Sequence, residues 1–196
     1  MLRNLFALGF GIALFAPASA DNFVANPQTT YLIDLDTPDQ HMSEWRLTDV
    51  GSINALRATV KVNGLIAPSG EIKPGFMFTF INGDENATFY VFGNWKDQTL
   101  LLSLQHSRGG KDVADGGILM SSLLPNFKVG KPFELAIDWT AEGKLTATVS
   151  GYTKLDGTPG QEGMTIKMAA PPKQIAVDST TGEIELNTLK LGQSTP

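Results

Sequence analysis

An all-β antiparallel sandwich is the fold this sequence predicts, and three observations predict it. From Tyr31 onward apolar and polar residues alternate with a period of two, the runs are rich in β-branched and aromatic residues, and Gly, Asn, Asp and Pro turns separate them. Helical periodicity is almost absent. A strand exposes successive side chains to opposite sides, so alternation marks an element with one wet and one buried face.

The chain opens with an export pattern. Arg3 supplies a positive charge, residues 5–15 form a short apolar run, and Ala18-Ser19-Ala20 is a small-x-small cleavage site, so residues 1–20 read as a signal peptide and the mature chain as starting at Asp21. The run is shorter than the roughly 20 apolar residues a transmembrane helix needs, and no later stretch approaches that length, so no transmembrane segment is expected after cleavage. The expected location is secreted or periplasmic.

Removing residues 1–20 takes away one base, Arg3, and no acid, which moves the net charge from −5 to −6. That balance disfavours nucleic acid or anionic lipid as a partner. The chain has no cysteine. Disulfides, thiolate catalysis, cysteine-bound zinc and lipidation of an N-terminal cysteine are thereby excluded. Such a domain suits a bacterial periplasm or exterior. Residues 21–196 read as one domain, without a linker, composition break or repeat, and large enough to bury a core without staples.

In chain order, Thr37 as N-cap, Pro38 at the first helical position and Trp45 near the end predict one short helix. Leu56, Ala58, Val60 and Val62 alternate with Arg57, Thr59 and Lys61, and Asn63-Gly64 predicts a hairpin-type turn after them. Residues 76–81 and 87–92 are apolar on both faces around the Asn82-Gly83-Asp84 turn and predict a central hairpin. Residues 100–105 predict a further strand, and residues 107–117, with four glycines, an exposed and mobile loop. A strand over 118–124 follows. Phe133, Leu135, Ile137 and Trp139, then Leu145, Ala147 and Val149, predict the clearest hairpin, around Glu142-Gly143. Met164, Ile166 and Met168 predict a strand that Pro171-Pro172 ends, and residues 183–191 supply the last. The total is ten to twelve strands.

Residues 130–151, GKPFELAIDWTAEGKLTATVSG, resemble the late hairpin of the concanavalin A-like lectin/glucanase superfamily, which in laminin-G modules and family 16 glucanases carries a Trp near the end of its first strand. Residues 184–192, IELNTLKLG, look like that superfamily's final strand. The resemblance implies a jelly-roll sandwich whose curved inner face often holds carbohydrate.

Four kinds of chemistry are compatible with residues on that scaffold. Glu183, Glu185 and Asn187 match the alternation of the Glu-x-Asp-x-Glu glucanase strand, but an amide stands where the general acid belongs, so a solvated strand face is the better reading. Gln105, His106, Arg57 and Tyr152 invite comparison with alginate-lyase-type enzymes, whose Gln-x-His strand puts both side chains on one side, whereas adjacent Gln105 and His106 point apart. A satisfied histidine at a strand end explains His106 better, although it is the one group of catalytic type beside a flexible loop. Asp34, Asp36 and Asp39, and Asp112 with Asp115, could contribute to a calcium site without matching a defined loop. Tyr90, Phe92 and Trp95 could stack on sugar faces, Trp95 in a polar turn, while Trp45 and Trp139 read as packing.

The sequence therefore predicts a non-catalytic binding domain that recognises a glycan or cell-envelope component. Its expected ligand-binding residues are Tyr90, Trp95, Gln105, His106 and Arg108, with no catalytic or metal-ligating residue and no cofactor, calcium being the only one the resemblance allows. The alternatives are a divergent glycoside hydrolase or polysaccharide lyase on the same jelly roll, and a structural or protein-interaction envelope domain.

Overall fold

Alternating residues do build strands over most of the described chain. The computed structural model describes residues 23–71, 74–96, 98–120, 129–154 and 156–194, with the side chains of 27–30, 99, 118–120 and 187 left aside. The signal peptide expected at residues 1–20 lies outside the described residues. Eleven strands are seen: β1 (Phe23–Leu47), β2 (Ala55–Leu65), β3 (Gly75–Asn82), β4 (Glu85–Asn94), β5 (Thr99–Arg108), β6 (Lys111–Asp112), β7 (Gly117–Met120), β8 (Phe133–Trp139), β9 (Lys144–Thr153), β10 (Pro159–Lys167) and β11 (Gln174–Ser194). Every pairing is antiparallel.

Two long strands make the sandwich by changing sheets. Residues 174–180 of β11 pair with β3, whereas residues 182–192 pair with β2. β1 follows the same bend on the other side of β11, with residues 42–47 beside the first part and residues 23–37 beside the second. The first sheet thus runs β1, β11, β3, β4 and β5, with β6 and β7 both paired to β5, and the second runs β1, β11, β2, β8, β9 and β10. Strands that bend from one sheet into the other are a known way to build such corners. Here the bend carries two non-glycine residues with positive φ, Gln40 at 61° and Thr181 at 46°. For a β-branched residue this is costly. The Gln40 N–H donates to Thr181 Oγ1 at 3.2 Å and ties the two bends together.

The expected helix at 37–45 is corrected by this corner. Thr37 sits at the bend, and residues 42–47 form a ladder with β11 that leaves no room for a helix. Met42, Glu44 and Arg46 face outward while Trp45 turns inward against Tyr31, with ring centroids 4.9 Å apart. A second correction concerns Asn63-Gly64. No hairpin forms there; the ladder runs on, with Gly64 opposite Glu183 and Val62 opposite Ile184, so Asn63 is the extra residue of a bulge. A third concerns residues 107–117. They begin as a tight hairpin, with Gly109 and Gly110 at φ of 57° and 72° between β5 and β6, and the Val113 N–H donates to the His106 carbonyl at 2.8 Å.

The other hairpins follow the sequence. Gly83, at φ 66°, takes the first place of the two-residue β3–β4 turn, where side chains resist positive φ. β8 and β9 pair Leu135 with Val149 and Ile137 with Ala147. The strand expected at 118–124 is described to Met120, and its remainder lies outside the described residues. The core between the sheets is set by Phe76, Phe78, Phe80, Phe89, Phe133 and a shell of Leu, Ile and Val, all essentially closed to solvent. Each such ring removed from water contributes roughly 1.5–3 kcal/mol. Trp139 packs against Phe80 at 5.6 Å.

Candidate functional site

The outward side of the first sheet differs from an ordinary wet face. The strand registers align Glu44, Asp178, Met77, Tyr90 and Ser103 in one row across β1, β11, β3, β4 and β5. A parallel row holds Arg46, Ala176, Thr79, Thr88 and Gln105. Asp178, Thr88 and Ser103 are only 8%, 7% and 5% exposed, although their side chains leave the sheet away from the core. The Ser103 hydroxyl has no hydrogen-bond partner. A buried polar group without a partner costs about 1–3 kcal/mol, so such a group either stores that cost or awaits a partner from outside.

Beside these rows Tyr90 and Phe92 stack face to face, with centroids 5.1 Å apart and planes 5° apart. Phe92 is exposed, and its register partner on β3 is Gly75, which offers no side chain. A Cβ on Gly75 would lie 2.6 Å from the Val91 carbonyl oxygen, so only glycine allows this approach. The result is an open aromatic platform. Trp95, partly exposed, lies in the turn that follows β4, where the Lys96 ammonium sits 5.3 Å from the centre of its ring.

Charge on the face is gathered at the β1–β11 end. Arg46 Nη2 donates to Glu44 Oε2 at 2.6 Å, and Glu44 stands directly across from Asp178. Burial pushes the Asp178 carboxyl up to about 6, helped by the negative charge and hydrogen bonding of Glu44 and opposed by Arg46.

The other half of the expected site faces the opposite way. His106 is 2% exposed and turns inward from β5, with Nδ1 2.8 Å from Asp115 Oδ1 and Nε2 2.9 Å from Glu85 Oε1. Arg108 donates to the same Glu85 oxygen through Nε and Nη2, and the Ala169 N–H donates to Glu85 Oε2 at 2.7 Å. The Lys167 N–H donates to Asp115 Oδ2 at 3.1 Å. These contacts join β4, β5, the segment after β6 and the end of β10, and so fasten the two sheets at one edge. Burial works to raise the Glu85 carboxyl, but hydrogen bonds from Arg108, Ala169 and His106 outweigh it and hold the group below the usual carboxylate range.

The five residues expected to bind a ligand thus divide. Tyr90 and Gln105 share the outer face, Trp95 lies in the turn beyond β4, and His106 with Arg108 belongs to the polar knot on the core side. Glu44, Asp178 and Ser103 were missed. The alternation of β1 and β11 shows which side chains share a face, but nothing local shows that these two strands are neighbours. Among the carboxylates weighed for calcium, Asp34 and Asp36 meet Glu183 rather than Asp39 on the exposed side of the second sheet. Asp39 instead accepts from the Ser69 N–H. Glu183 and Glu185 lie on that same solvated face, each accepting from Asn63 Nδ2.

Comparison with solved structures settles the fold. The winged bean acidic lectin complexed with methyl-α-D-galactose superposes with a TM-score of 0.51 at 9% identity, over 88% of this chain and 95% of that one. The likeness is one of fold: the chain folds as a jelly roll, as this lectin does. The jelly roll is similar also to the exoplasmic/lumenal domain of VIP36 in its Ca2+/Man-bound form, with a TM-score of 0.50, 13% identity, and coverage of 88% and 81%. Scytalido-glutamic peptidase with a transition state analog inhibitor gives 0.51, 11% identity, and coverage of 79% and 82%. No protein-family model and no curated protein matches the sequence. Among the described residues, no helix is long and apolar enough to cross a membrane.

Proposed function

We propose that this jelly roll is an exported, non-catalytic glycan-recognition protein that holds its ligand on the outer face of the first sheet. The single observation that carries the reading is the Tyr90–Phe92 stack, exposed at Phe92, beside a buried serine hydroxyl without a partner. Rings cover the apolar faces of sugars, while Gln105, Thr88, Thr79 and Ser103 offer uncharged hydrogen-bonding groups on the same side. The lectins among its structural neighbours agree with such a role. Trp95 would extend the platform beyond the end of β4.

The test is thermal stabilisation of residues 21–196 by a panel of neutral and acidic polysaccharides, with and without calcium, the same mixtures being assayed for new reducing ends and unsaturated products. A ligand that binds only the folded state raises the melting temperature by mass action. Stabilisation without turnover, reduced in Phe92→Ala, is the expected outcome. Turnover in any mixture overturns the non-catalytic reading.

A further inference from the structure

The Glu44–Asp178 pair gives the recognition face a property that the aromatic stack alone does not. The two carboxyl groups are direct cross-strand neighbours, a position where side chains lie about 5 Å apart at Cβ and like charges repel. Among the described residues, the charged groups facing Asp178 are Glu44 and Arg46 from β1; β3 offers the uncharged Met77, and Tyr90 follows on β4. Arg46 is committed to Glu44 through its 2.6 Å contact, and both are about two-fifths exposed, whereas Asp178 is nearly closed off. The remaining members of the two rows carry no charge. At the far end of the same row, about 14 Å away across three strand spacings, stands the unpartnered Ser103 hydroxyl.

We propose that the row from Glu44 through Asp178, Met77 and Tyr90 to Ser103 is the binding site for an uncharged polyhydroxylated chain, with the Glu44–Asp178 pair entering the complex as one monoanion that shares a single proton. This rests on the glycan-recognition reading above and adds the ligand class and its pH control. A carboxylic acid can donate to a sugar hydroxyl, whereas a carboxylate can only accept. Covering the face with a ligand removes the remaining water, which further disfavours a second negative charge on the pair.

The sign of the linkage follows. Asp178 in the free protein loses its proton near pH 6, and the ligand raises that midpoint. Affinity is therefore full below the free midpoint and falls as pH rises between the free and bound midpoints. With Arg46 counted, the face sums to zero below the free midpoint and to one negative charge above it, so acidic polysaccharides gain no attraction at low pH and are repelled above the midpoint.

The experiment has two arms. In the first, carboxyl carbon-13 shifts of Glu44 and Asp178 are followed by NMR against pH without ligand. The expected result is one group titrating near 6 in wild type, with Asp178 returning toward the ordinary carboxylate range in Glu44→Gln; two groups that both ionise in the ordinary range overturn the proposal. In the second, binding of galactomannan, laminarin and polygalacturonate is measured by calorimetry at pH 5.0 and 7.5. A neutral polysaccharide is expected to bind about tenfold more tightly at pH 5.0, a loss equal to one unit of midpoint shift. Asp178→Asn should bind equally at both pH values, because its amide stays an uncharged donor. Binding that is independent of pH in wild type overturns this inference and leaves the recognition reading standing. Preference for polygalacturonate overturns the ligand class, and silence from all three probes overturns both.

Discussion

The outer faces of the two sheets are built from the same alternating strands and rest on the same core, yet they differ in kind. On the second sheet Arg57 pairs with Asp138, Thr59 with Glu134 and Lys61 with Glu185, all at or near solvent. Such pairs keep a face wet and add little stability. On the first sheet the outward rows are Ala176, Met77, Thr79, Thr88, Tyr90 and Ser103, half or fully buried, with charge confined to Glu44, Arg46 and Asp178. The difference teaches that the first sheet withdraws polar groups from water on a side where burial brings no core, which is the feature the proposed recognition role rests on.

The largest effect that tests this contrast lies outside both faces. Replacing Glu85 with Ala leaves His106 and Arg108 without their shared carboxylate, and removal of one partner from a buried charged network costs about 3–5 kcal/mol. Urea unfolding is expected to show that loss in full. The wild-type knot should also weaken in acid. Glu85 titrates below its unfolded value of 4.5, so its contribution is present above that pH and is lost as pH falls through the lower folded value. Glu85→Gln should remove that part of the acid transition.

Asp178→Asn comes next and should act with the opposite sign. A folded midpoint near 6 against an unfolded 3.8 means that stability from this group is full below 3.8 and is lost as pH rises through 6. The amide variant is therefore expected to be more stable than wild type at pH 7.5, by about 1–3 kcal/mol, and equal to it near pH 4. A variant less stable than wild type at both pH values would break the contrast, since Asp178 would then act like an ordinary surface acid.

Phe92→Ala sharpens the contrast from the ligand side. Losing the Tyr90 stack should cost about 0.5–1.5 kcal/mol in urea unfolding, and glycan affinity should fall by up to about tenfold if the ring's contact with a sugar is worth as much. The smallest effect belongs to the second sheet. Lys61→Ala removes a 3.6 Å ion pair with Glu185 and should change stability by less than about 1 kcal/mol, without touching ligand binding. A loss of affinity there would move the recognition face to the other sheet.

The fold was legible in the chain to a large degree. Residues 133–149 announce their hairpin because period two, a glycine turn and matched apolar positions coincide within one local stretch, and β3–β4 does the same around Gly83. The failures occurred where local signals competed with distant pairing. Thr37-Pro38 satisfies the rules for a helix start, but pairing of residues 42–47 with β11 outweighs a short helix that has no apolar face of its own. Asn63-Gly64 carries a turn signature and became a bulge, because β2 has β11 to pair with beyond that point.

The candidate site shows the same division. Tyr90, Phe92 and Trp95 stood out because aromatic residues near a polar turn are visible in any window of sequence. His106 stood out as a histidine beside a glycine-rich loop, and its burial between Glu85 and Asp115 makes it a structural link. What the sequence determined by itself was the strand content, most turns and which side chains share a face, since alternation is a local property of the extended backbone. Only the tertiary structure decided which faces meet and which residues stand opposite one another. Glu44 and Asp178 come from opposite ends of the chain, and the register between β1 and β11 is set by the burial of Trp45, Val177 and their neighbours across the whole sheet.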